Sequence, residues 1–464
     1  MTVTVPPSPF LSGLMAPVTD ERDDRDLAVT GVVPPGLRGM FVRNGPNPQF
    51  APRGKYHPFD GDGMLHAVYL DEGGARYRNR WIESRGLLAE RARGHALYGG
   101  LAEFSMPEPD VIAEGGMIKN TGNTHTLRHA GRILAVMEAC PPTMLDRDLT
   151  TLGELDYDGR VGACTAHPKI DPVSGEMLFF GYSPFPPYLR YHVVDASGAL
   201  VHSVDIDLPN SVMIHDFAVT EHHVVFLDAP ALFDAAAMMQ GGPMMRWAPD
   251  QGTRIGVMPR RGTGADLRWF DVDSQYVVHF FNAWDDGVCV EIRAPRFSAM
   301  PGAFDFEDPT GKEGPVPWSW SIDLEHGTVR DAQTDDRSGE FPRVNDDLAT
   351  RPTRYLYNCL ARTWEFEFEF HGVVKYDTET DAATEWYYGD HEVSGEHAFA
   401  PDPAGTAEDD GWLMTMVIDR TTGLADLAIL DARDVASGPV ARIHLPRRVP
   451  IGFHANWFPE PAGT

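Results

Sequence analysis

Short runs of alternating hydrophobic and polar residues recur along the whole chain and predict β-strands. They are rich in Val, Ile, Phe, Tyr and Trp, and several have the two-residue period of a strand with one buried face. Clear helical patterns are few, so we predict an all-β fold. Representative runs are GRILAVMEA (131–139), GEMLFFGYS (175–183), HHVVFLDAP (222–230), SQYVVHFFNAW (274–284) and GWLMTMVID (411–419).

The segments between these runs share a turn signal, an Asp followed three or four residues later by Gly. Asp can bond the backbone of its own turn and Gly supplies a positive φ, so each segment predicts a tight turn between antiparallel strands. The irregular spacing excludes a strict repeat of the WD type. Propellers and sandwiches both fit, and we favour the propeller because several blades can each point one side chain into its axial channel. The five segments are 171–175, 195–198, 323–327, 419–423 and 434–438.

The best candidate for a helix is ALFDAAAMMQGGPMMRW, residues 231–247. It could cap the core, or its Met and aromatic side chains could form an apolar lip at a tunnel mouth. The lip would contact apolar substrate or a membrane surface. We find no domain boundary, so we expect one domain over 1–464 with cap insertions that include 231–247.

Charge and cysteine content narrow the class of protein. The formal net charge is −29, which disfavours nucleic acid and anionic lipid as main partners. The four cysteines, Cys140, Cys164, Cys289 and Cys359, form no C-x-x-C pair, as expected for reduced thiols rather than a cysteine metal site. The N-terminus lacks a signal-peptide pattern, and we expect a cytoplasmic protein, monomeric or dimeric.

Four of the 18 histidines lie in apolar or tightly punctuated segments. They are His167 in CTAHPKIDP, His215 in VMIHDFAVT, His279 in VVHFFNAWDDG and His454 in IGFHANWF. Successive members are 48, 64 and 175 residues apart, so only a fold that gathers distant strands could bring them together.

A site of four histidines has a definite chemistry. Imidazole is a neutral ligand that suits iron, zinc and copper, whereas magnesium and calcium prefer oxygen. Four histidines around tetrahedral zinc would close the site to chemistry, but around an octahedral ion they leave positions for O₂ and substrate. The open arrangement favours redox iron.

Three glutamates are candidates to orient these ligands, because a metal-bound histidine usually donates its other N–H to a carboxylate. Glu138, Glu340 and Glu396 are flanked by apolar residues, where an unpaired carboxylate would be costly. Most other glutamates of the chain read as surface residues.

At these positions the sequence resembles the carotenoid cleavage oxygenase family, which also includes stilbene- and phenylpropene-cleaving enzymes. The resemblance spans nearly the whole chain and is carried by many ordered motifs. These are FVRNGPNPQF (41–50), HPFDGDGMLHAV (57–68), NTGNTH (120–125), TAHPKIDP (165–172), IHDFAVT (214–220), HFFNAWDDG (279–287), EFPRVN (340–345), GEHAFAP (395–401) and GFHANW (452–457).

The resemblance implies a seven-bladed propeller with Fe(II) on its axis and a dome of loops and helices over an apolar tunnel. It implies that the four histidines bind the metal, that the three glutamates orient three of them, and that Thr124 lies beside an unused coordination position. The implied reaction uses O₂ to split one double bond into two carbonyl products. No G-x-G-x-x-G or P-loop suggests a nucleotide.

Two departures from the family are mild: His397 stands where Pro is usual, and Ala455 where Gly is usual. The phenol-cleaving branch holds its substrate hydroxyl with a Lys and a Tyr, but here Met137 and Leu101 take those places, with Tyr98 nearby.

We therefore expect Phe59, Leu101 and Met137 to contact an apocarotenoid or carotenoid. The alternatives are a stilbenoid or phenylpropene substrate, an isomerase or isomerohydrolase on the same fold, and a metal-free binding module.

Overall fold

The computed structural model describes residues 8–240, 244–301, 313–364 and 368–460. Its strands form seven antiparallel sheets of four to six strands and one separate two-stranded ribbon. The sheets follow one another along the chain as the blades of a seven-bladed β-propeller, which confirms the predicted fold. We number the blades I to VII.

The first three blades occupy the N-terminal half of the chain. Blade I consists of Asp23–Asp24, Gly39–Pro46, Gly63–Asp71, Gly74–Trp81 and Ala455–Pro459; blade II of His125–His129, Arg132–Val136, Thr143–Leu145 and Thr151–Glu154; and blade III of Lys169–Ile170, Met177–Tyr182, Leu189–Val194 and Leu200–Ile206.

Blades IV, V and VI each have four strands, and blade VII has six. Blade IV consists of Ala218–Val219, His223–Asp228, Thr253–Pro259 and Arg268–Val272; blade V of Asn282–Asp285, Cys289–Arg296, Val316–Asp323 and Thr328–Gln333; blade VI of Gly339–Arg343, Tyr355–Leu360, Gly372–Asp377 and Ala382–Tyr387; and blade VII of Val29–Gly31, Glu392–Ser394, Ala398–Pro401, Gly411–Asp419, Ala425–Asp431 and Pro439–His444.

Strands from the two ends of the chain close the ring. The C-terminal strand Ala455–Pro459 pairs with Gly39–Pro46 and is the last strand of blade I. The N-terminal strand Val29–Gly31 pairs with Pro439–His444 at the other edge of blade VII. The two ends are thus built into neighbouring blades.

The hydrophobic core is distributed between the blades rather than concentrated at the centre. Each neighbouring pair of blades encloses its own apolar cluster; for example, Phe179 of blade III packs beside Leu134 of blade II. Trp320 of blade V belongs to the cluster shared with Ile255 of blade IV. Face-to-face packing of neighbouring sheets buries their apolar faces and leaves the axis for polar side chains.

All five Asp-to-Gly segments form turns between paired strands, as predicted. Their glycines have φ between 69° and 90°, which only glycine adopts without strain. These turns lie in blades III, V and VII.

The helix predicted over 231–247 is wrong in extent. Only Ala235–Met239 is helical, with Asp234 as its N-cap, and the flanking strands Ala231–Phe233 and Met245–Trp247 pair as the ribbon. The sequence Gly-Gly-Pro at 241–243 explains the early end, because neither residue type supports a continuing helix. Residues 241–243 themselves lie outside the described part of the chain.

Two further helices, Arg85–Arg93 and Pro109–Gly115, follow blade I and pack on each other through Ala89 and Val111. Across the described residues, none of the helices has the length and apolar character needed to span a membrane. Short 3₁₀ turns occur at Pro9–Leu11, Gly13–Met15, Pro58–Asp60, Pro249–Gln251, Gly264–Asp266, Asp346–Leu348 and Val435–Ser437.

Candidate metal centre

The four predicted ligand histidines lie at equivalent places in four blades, each just before the strand nearest the axis. His167 precedes Lys169–Ile170 of blade III, His215 precedes Ala218–Val219 of blade IV, and His279 precedes Asn282–Asp285 of blade V. His454 directly precedes the closing strand Ala455–Pro459 of blade I. The propeller therefore brings together four histidines that are far apart in sequence.

Their side chains converge on one point. One ring nitrogen from each histidine lies within 4.8 Å of the others, and all four residues are buried. The Nε2 atoms of His167 and His215 are 3.0 Å apart, and those of His215 and His279 are 3.2 Å apart. The rings of His454 and His167 are nearly perpendicular, with centroids 4.5 Å apart.

The three predicted glutamates each contact the other nitrogen of one histidine. Nδ1 of His215 contacts Glu138. Nδ1 of His279 is 2.6 Å from Glu340 Oε2, and Nδ1 of His454 is 3.2 Å from Glu396 Oε1. Among the described residues, no carboxylate is paired with His167 in this way. A carboxylate that accepts a hydrogen bond from Nδ1–H fixes the tautomer, so Nε2 presents a lone pair to the centre.

Four nitrogen lone pairs that point to one buried centre repel one another unless a cation lies between them. Burial, with neighbouring imidazoles adding to it, lowers the pKa of His167 and of His279 well below the ordinary histidine value, which keeps both neutral. Burial opposes protonation of His215, but Glu138 outweighs it and raises the pKa. Burial also raises the pKa of Glu340 to about 8. A metal ion at the centre would satisfy the lone pairs and stabilise the charged carboxylates together.

The spacing of the nitrogens fits such an ion. Two imidazole nitrogens at about 2.1 Å from a metal and at right angles to each other are about 3.0 Å apart. The 3.0 and 3.2 Å separations observed are close to this value. Four neutral nitrogen donors suit iron, zinc or copper and disfavour magnesium and calcium.

Thr124 borders the centre through its backbone. Its carbonyl accepts the backbone N–H of His454 at 3.2 Å. Its hydroxyl donates to Asn123 Oδ1 at 2.9 Å, and Asn123 Nδ2 donates to the carbonyls of Phe59 and Gly61 at 2.8 Å each. Since the hydroxyl is engaged with Asn123, the methyl branch is the part of Thr124 left to act as a steric group.

The predicted substrate residues are half-buried and lie in connecting segments, Phe59 within the 3₁₀ turn Pro58–Asp60. The Phe59 ring packs against Phe453, the neighbour of His454, with centroids 5.2 Å apart. The Leu101 N–H donates to Asp60 Oδ1 at 2.9 Å, which places Leu101 beside the segment of Phe59. Met137 immediately precedes Glu138, and its sulfur lies 3.3 Å from the N–H of Ala139.

The two departures from the family pattern keep the ligand geometry. His397 is buried between Cys359 Sγ at 3.2 Å from its Nδ1 and Tyr388 Oη at 3.0 Å from its Nε2. Ala455 donates its backbone N–H to Glu396, a contact that any residue other than proline can make. Glu396 therefore keeps its place beside His454.

Three residues at the centre were not predicted from the sequence. Tyr182 donates its hydroxyl to the second oxygen of Glu138. Phe341 has a φ of 56°, unusual for a bulky residue, and its ring lies against His279 and His454 at 5.4 and 5.0 Å. His125 stacks on His167 at 5.8 Å, but its nitrogens face the Ala166 carbonyl and Asn456. Only the adjacency of Phe341 to Glu340 and of His125 to Thr124 could have singled any of them out.

Comparison with known proteins finds relatives that match nearly the whole chain. The family model described as "Retinal pigment epithelial membrane protein" matches residues 15–459.

Two relatives are each 34% identical to the chain and cover 98% of it. One is a carotenoid 9,10(9′,10′)-cleavage dioxygenase from Crocus sativus, of which 90% is covered, and the other is an isoeugenol monooxygenase from Pseudomonas nitroreducens, of which 98% is covered. The crystal structure of Pseudomonas brassicacearum lignostilbene dioxygenase is 30% identical, superposes with a TM-score of 0.91, and covers 99% of this chain and 100% of its own.

Proposed function

Since the chain belongs to the carotenoid cleavage oxygenase family, we propose that it is an iron(II)-dependent dioxygenase that splits one double bond of an apocarotenoid or carotenoid. The observation that carries the proposal is the convergence of four buried imidazoles, three of them backed by carboxylates. His167, His215, His279 and His454 would hold the metal, and Glu138, Glu340 and Glu396 would orient three of these ligands.

Iron(II), when bound, would supply the electrons that make O₂ reactive toward an electron-rich double bond. In the balanced reaction both oxygen atoms enter the products, the C=C bond breaks, and two C=O groups form. No nicotinamide or 2-oxo acid is consumed. The protein positions the alkene, excludes bulk water, and limits the open side of the centre through Thr124.

An apolar substrate fits the predicted substrate residues Phe59, Leu101 and Met137, which we call the substrate corner. Met137 and Leu101 carry no group that could hold or deprotonate a phenol. The hydroxyl of Tyr98, the nearest alternative, donates to the Gly116 carbonyl at 3.3 Å. The Tyr182 hydroxyl is engaged by Glu138, and burial followed by that carboxylate raises its pKa well above the ordinary value. A conjugated hydrocarbon chain needs none of these polar groups.

A stilbenoid or phenylpropene is the second candidate substrate. It is favoured by the isoeugenol monooxygenase at 34% identity over 98% of both chains and by the TM-score of 0.91 to a lignostilbene dioxygenase. Both substrate classes offer a conjugated double bond, so the same metal chemistry would serve either. The two proposals differ only in what the substrate corner binds.

One experiment separates these candidates. Protein loaded with Fe(II) without oxygen is mixed with apocarotenals, carotenoids, hydroxylated stilbenes and isoeugenol under ¹⁸O₂, and the fragments are identified by mass. We expect two labelled carbonyl fragments from a polyene. Turnover of hydroxylated stilbenes far above that of apocarotenals would reverse the substrate proposal, and isomerised or hydrated products without O₂ uptake would indicate an isomerase or isomerohydrolase. Absence of metal binding would leave a binding module.

The cellular location, oligomeric state and partners of the protein remain predictions. We expect a cytoplasmic monomer or dimer without nucleic-acid partners. The proposed membrane contact through 231–247 rests on a segment whose side chains Leu232 and Met245 are buried and whose Phe233, Met244 and Trp247 are half-buried.

A further inference from the structure

One buried carboxylate contacts the segments that carry three of the four histidines. Asp216 directly follows His215, and its side chain is 1% exposed. Its Oδ1 lies 2.7 Å from Nζ of Lys169, two residues after His167. Its Oδ2 accepts the backbone N–H of Phe280, the residue after His279, at 3.0 Å. Blades III, IV and V therefore meet at this side chain.

The contacts leave Asp216 little freedom. The N–H of Phe217 donates to Oδ1 at 2.7 Å, which holds the carboxylate in one orientation relative to its own backbone. The bond to Lys169 joins two charges, and such bonds are shorter and stronger than neutral ones. Removal of one partner from a buried charged pair is costly because the other charge is left without compensation.

Asp216 and its three partners, Lys169, Phe217 and Phe280, form a cluster that lies beside the metal ligands in sequence. Each of the three contacts is at or within two residues of a ligand histidine. The Nε2 separations of 3.0 and 3.2 Å are those between His167 and His215 and between His215 and His279, the three histidines that Asp216 links. His454, from blade I, lies outside the cluster.

We propose that Asp216, with Lys169, is a positioning residue that sets the spacing of His167, His215 and His279 and thereby tunes the affinity and symmetry of the metal centre. The inference rests on the metal site of the proposed function. It assigns to Asp216 a role distinct from that of the glutamates, because Asp216 acts through the Lys169 side chain of blade III and the backbone of blades IV and V rather than on an imidazole nitrogen.

The test compares Asp216→Asn and Lys169→Met with the unmodified full-length protein. Fe(II) and Co(II) affinities are measured by chelator competition without oxygen, and the Co(II) absorption spectrum reports the symmetry of the ligands. Asp228→Asn is the matched control, since Asp228 is a largely buried carboxylate of blade IV that pairs with Arg254 instead of with a segment that carries a ligand histidine.

We expect Asp216→Asn to weaken metal binding by about 10–100-fold, the usual cost of losing a group that orients ligands, and to change the Co(II) spectrum. Lys169→Met should shift both in the same direction by less, because Phe280 still holds the carboxylate. The double variant should be no worse than Asp216→Asn. Asp228→Asn should leave affinity and spectrum unchanged even where it lowers the melting temperature.

Two results separate failure of this inference from failure of the proposed function. If the unmodified protein binds no Fe(II), the proposed function fails. If it binds Fe(II) and the Asp216 and Lys169 variants keep its affinity and spectrum, the positioning role is overturned while the function stands. Should one of the two variants not fold, the other decides, because Asp216→Asn leaves a Lys169 side chain that is 27% exposed, and Lys169→Met leaves the Asp216 carboxylate with its two backbone N–H donors.

Discussion

The metal centre and the substrate corner are neighbours, yet they are built in different ways. At the centre, histidines from separate blades are buried, lie just before the innermost strands and are held by further side chains; His279, for example, is held by Glu340. At the corner, Phe59, Leu101 and Met137 are half-buried and lie in connecting segments between strands, Phe59 within a short 3₁₀ turn.

Under the proposed function, the difference predicts that the centre carries the reaction and the corner carries the choice of substrate. A ligand set shared among rigid blades resists change, whereas single loop residues can be exchanged at little cost to the fold. Relatives named for a carotenoid and for isoeugenol are both 34% identical to this chain. Similar overall identity with different named substrates is what this division predicts.

The loss of one ligand histidine should have the largest effect on the centre. We expect His279→Ala to abolish iron retention and activity, because three imidazoles lose both affinity and geometry. Metal analysis of protein purified without oxygen checks this. His202→Ala is the control, since His202 lies on the outer strand of blade III, where its ring packs on Tyr191 and its Nε2 lies 3.0 Å from the Gly262 carbonyl. Full activity with normal iron content in His279→Ala would refute the ligand assignment.

Substitution of a residue that holds a ligand histidine should have an intermediate effect on metal binding. Glu138→Gln should weaken metal binding or activity by about 10–100-fold, because a neutral amide no longer raises the basicity of His215. Tyr182→Phe, which removes only the donor to the other oxygen of Glu138, should cost less. Chelator competition on both variants gives the order, and an equal or larger loss in Tyr182→Phe would contradict this role for Glu138.

Changes at the corner should alter selectivity and leave the metal in place. The double variant Met137→Lys with Leu101→Tyr introduces polar groups that can hold a phenol. We expect the ratio of kcat/KM for hydroxylated stilbenes to that for apocarotenals to rise, with iron content unchanged. Met137→Leu with Leu101→Phe is the apolar control. A loss of iron in the polar variant alone would show that corner and centre are not separable.

The smallest effect is expected at the ribbon. Met244 is half-buried against the apolar cluster of blades IV and V. If the segment 231–247 guides apolar substrate, Met244→Asp should raise KM for detergent-dispersed substrate with little change in kcat. Met244→Leu should behave as the unmodified protein. Unchanged substrate uptake in Met244→Asp would remove the segment from the route of the substrate.

The features predicted from sequence are those with a local signal. Asp-to-Gly turns and alternating runs predicted the blades, and the four histidines stand out because polar rings are unusual in apolar segments. The ribbon was missed because the Ala- and Met-rich stretch 235–239 favours a helix, while pairing of Ala231–Phe233 with Met245–Trp247 depends on the propeller beneath it.

Contacts between blades have no local signal. The bond from Tyr182 to Glu138 joins residues of different blades, and the contact from Asp216 to Phe280 does the same. The left-handed φ of Phe341 follows from the bulge at Glu340, which only the paired strand reveals. These features exist only once the ring is closed.

X-ray absorption spectroscopy of anaerobically iron-loaded protein tests the central claim most directly, because it counts the ligands on the metal. We predict one iron per chain with four imidazole nitrogens at about 2.1 Å and additional oxygen scatterers from exchangeable ligands. Fewer imidazoles, or a closed tetrahedral shell without oxygen, would contradict the assignment of this centre as an open iron site.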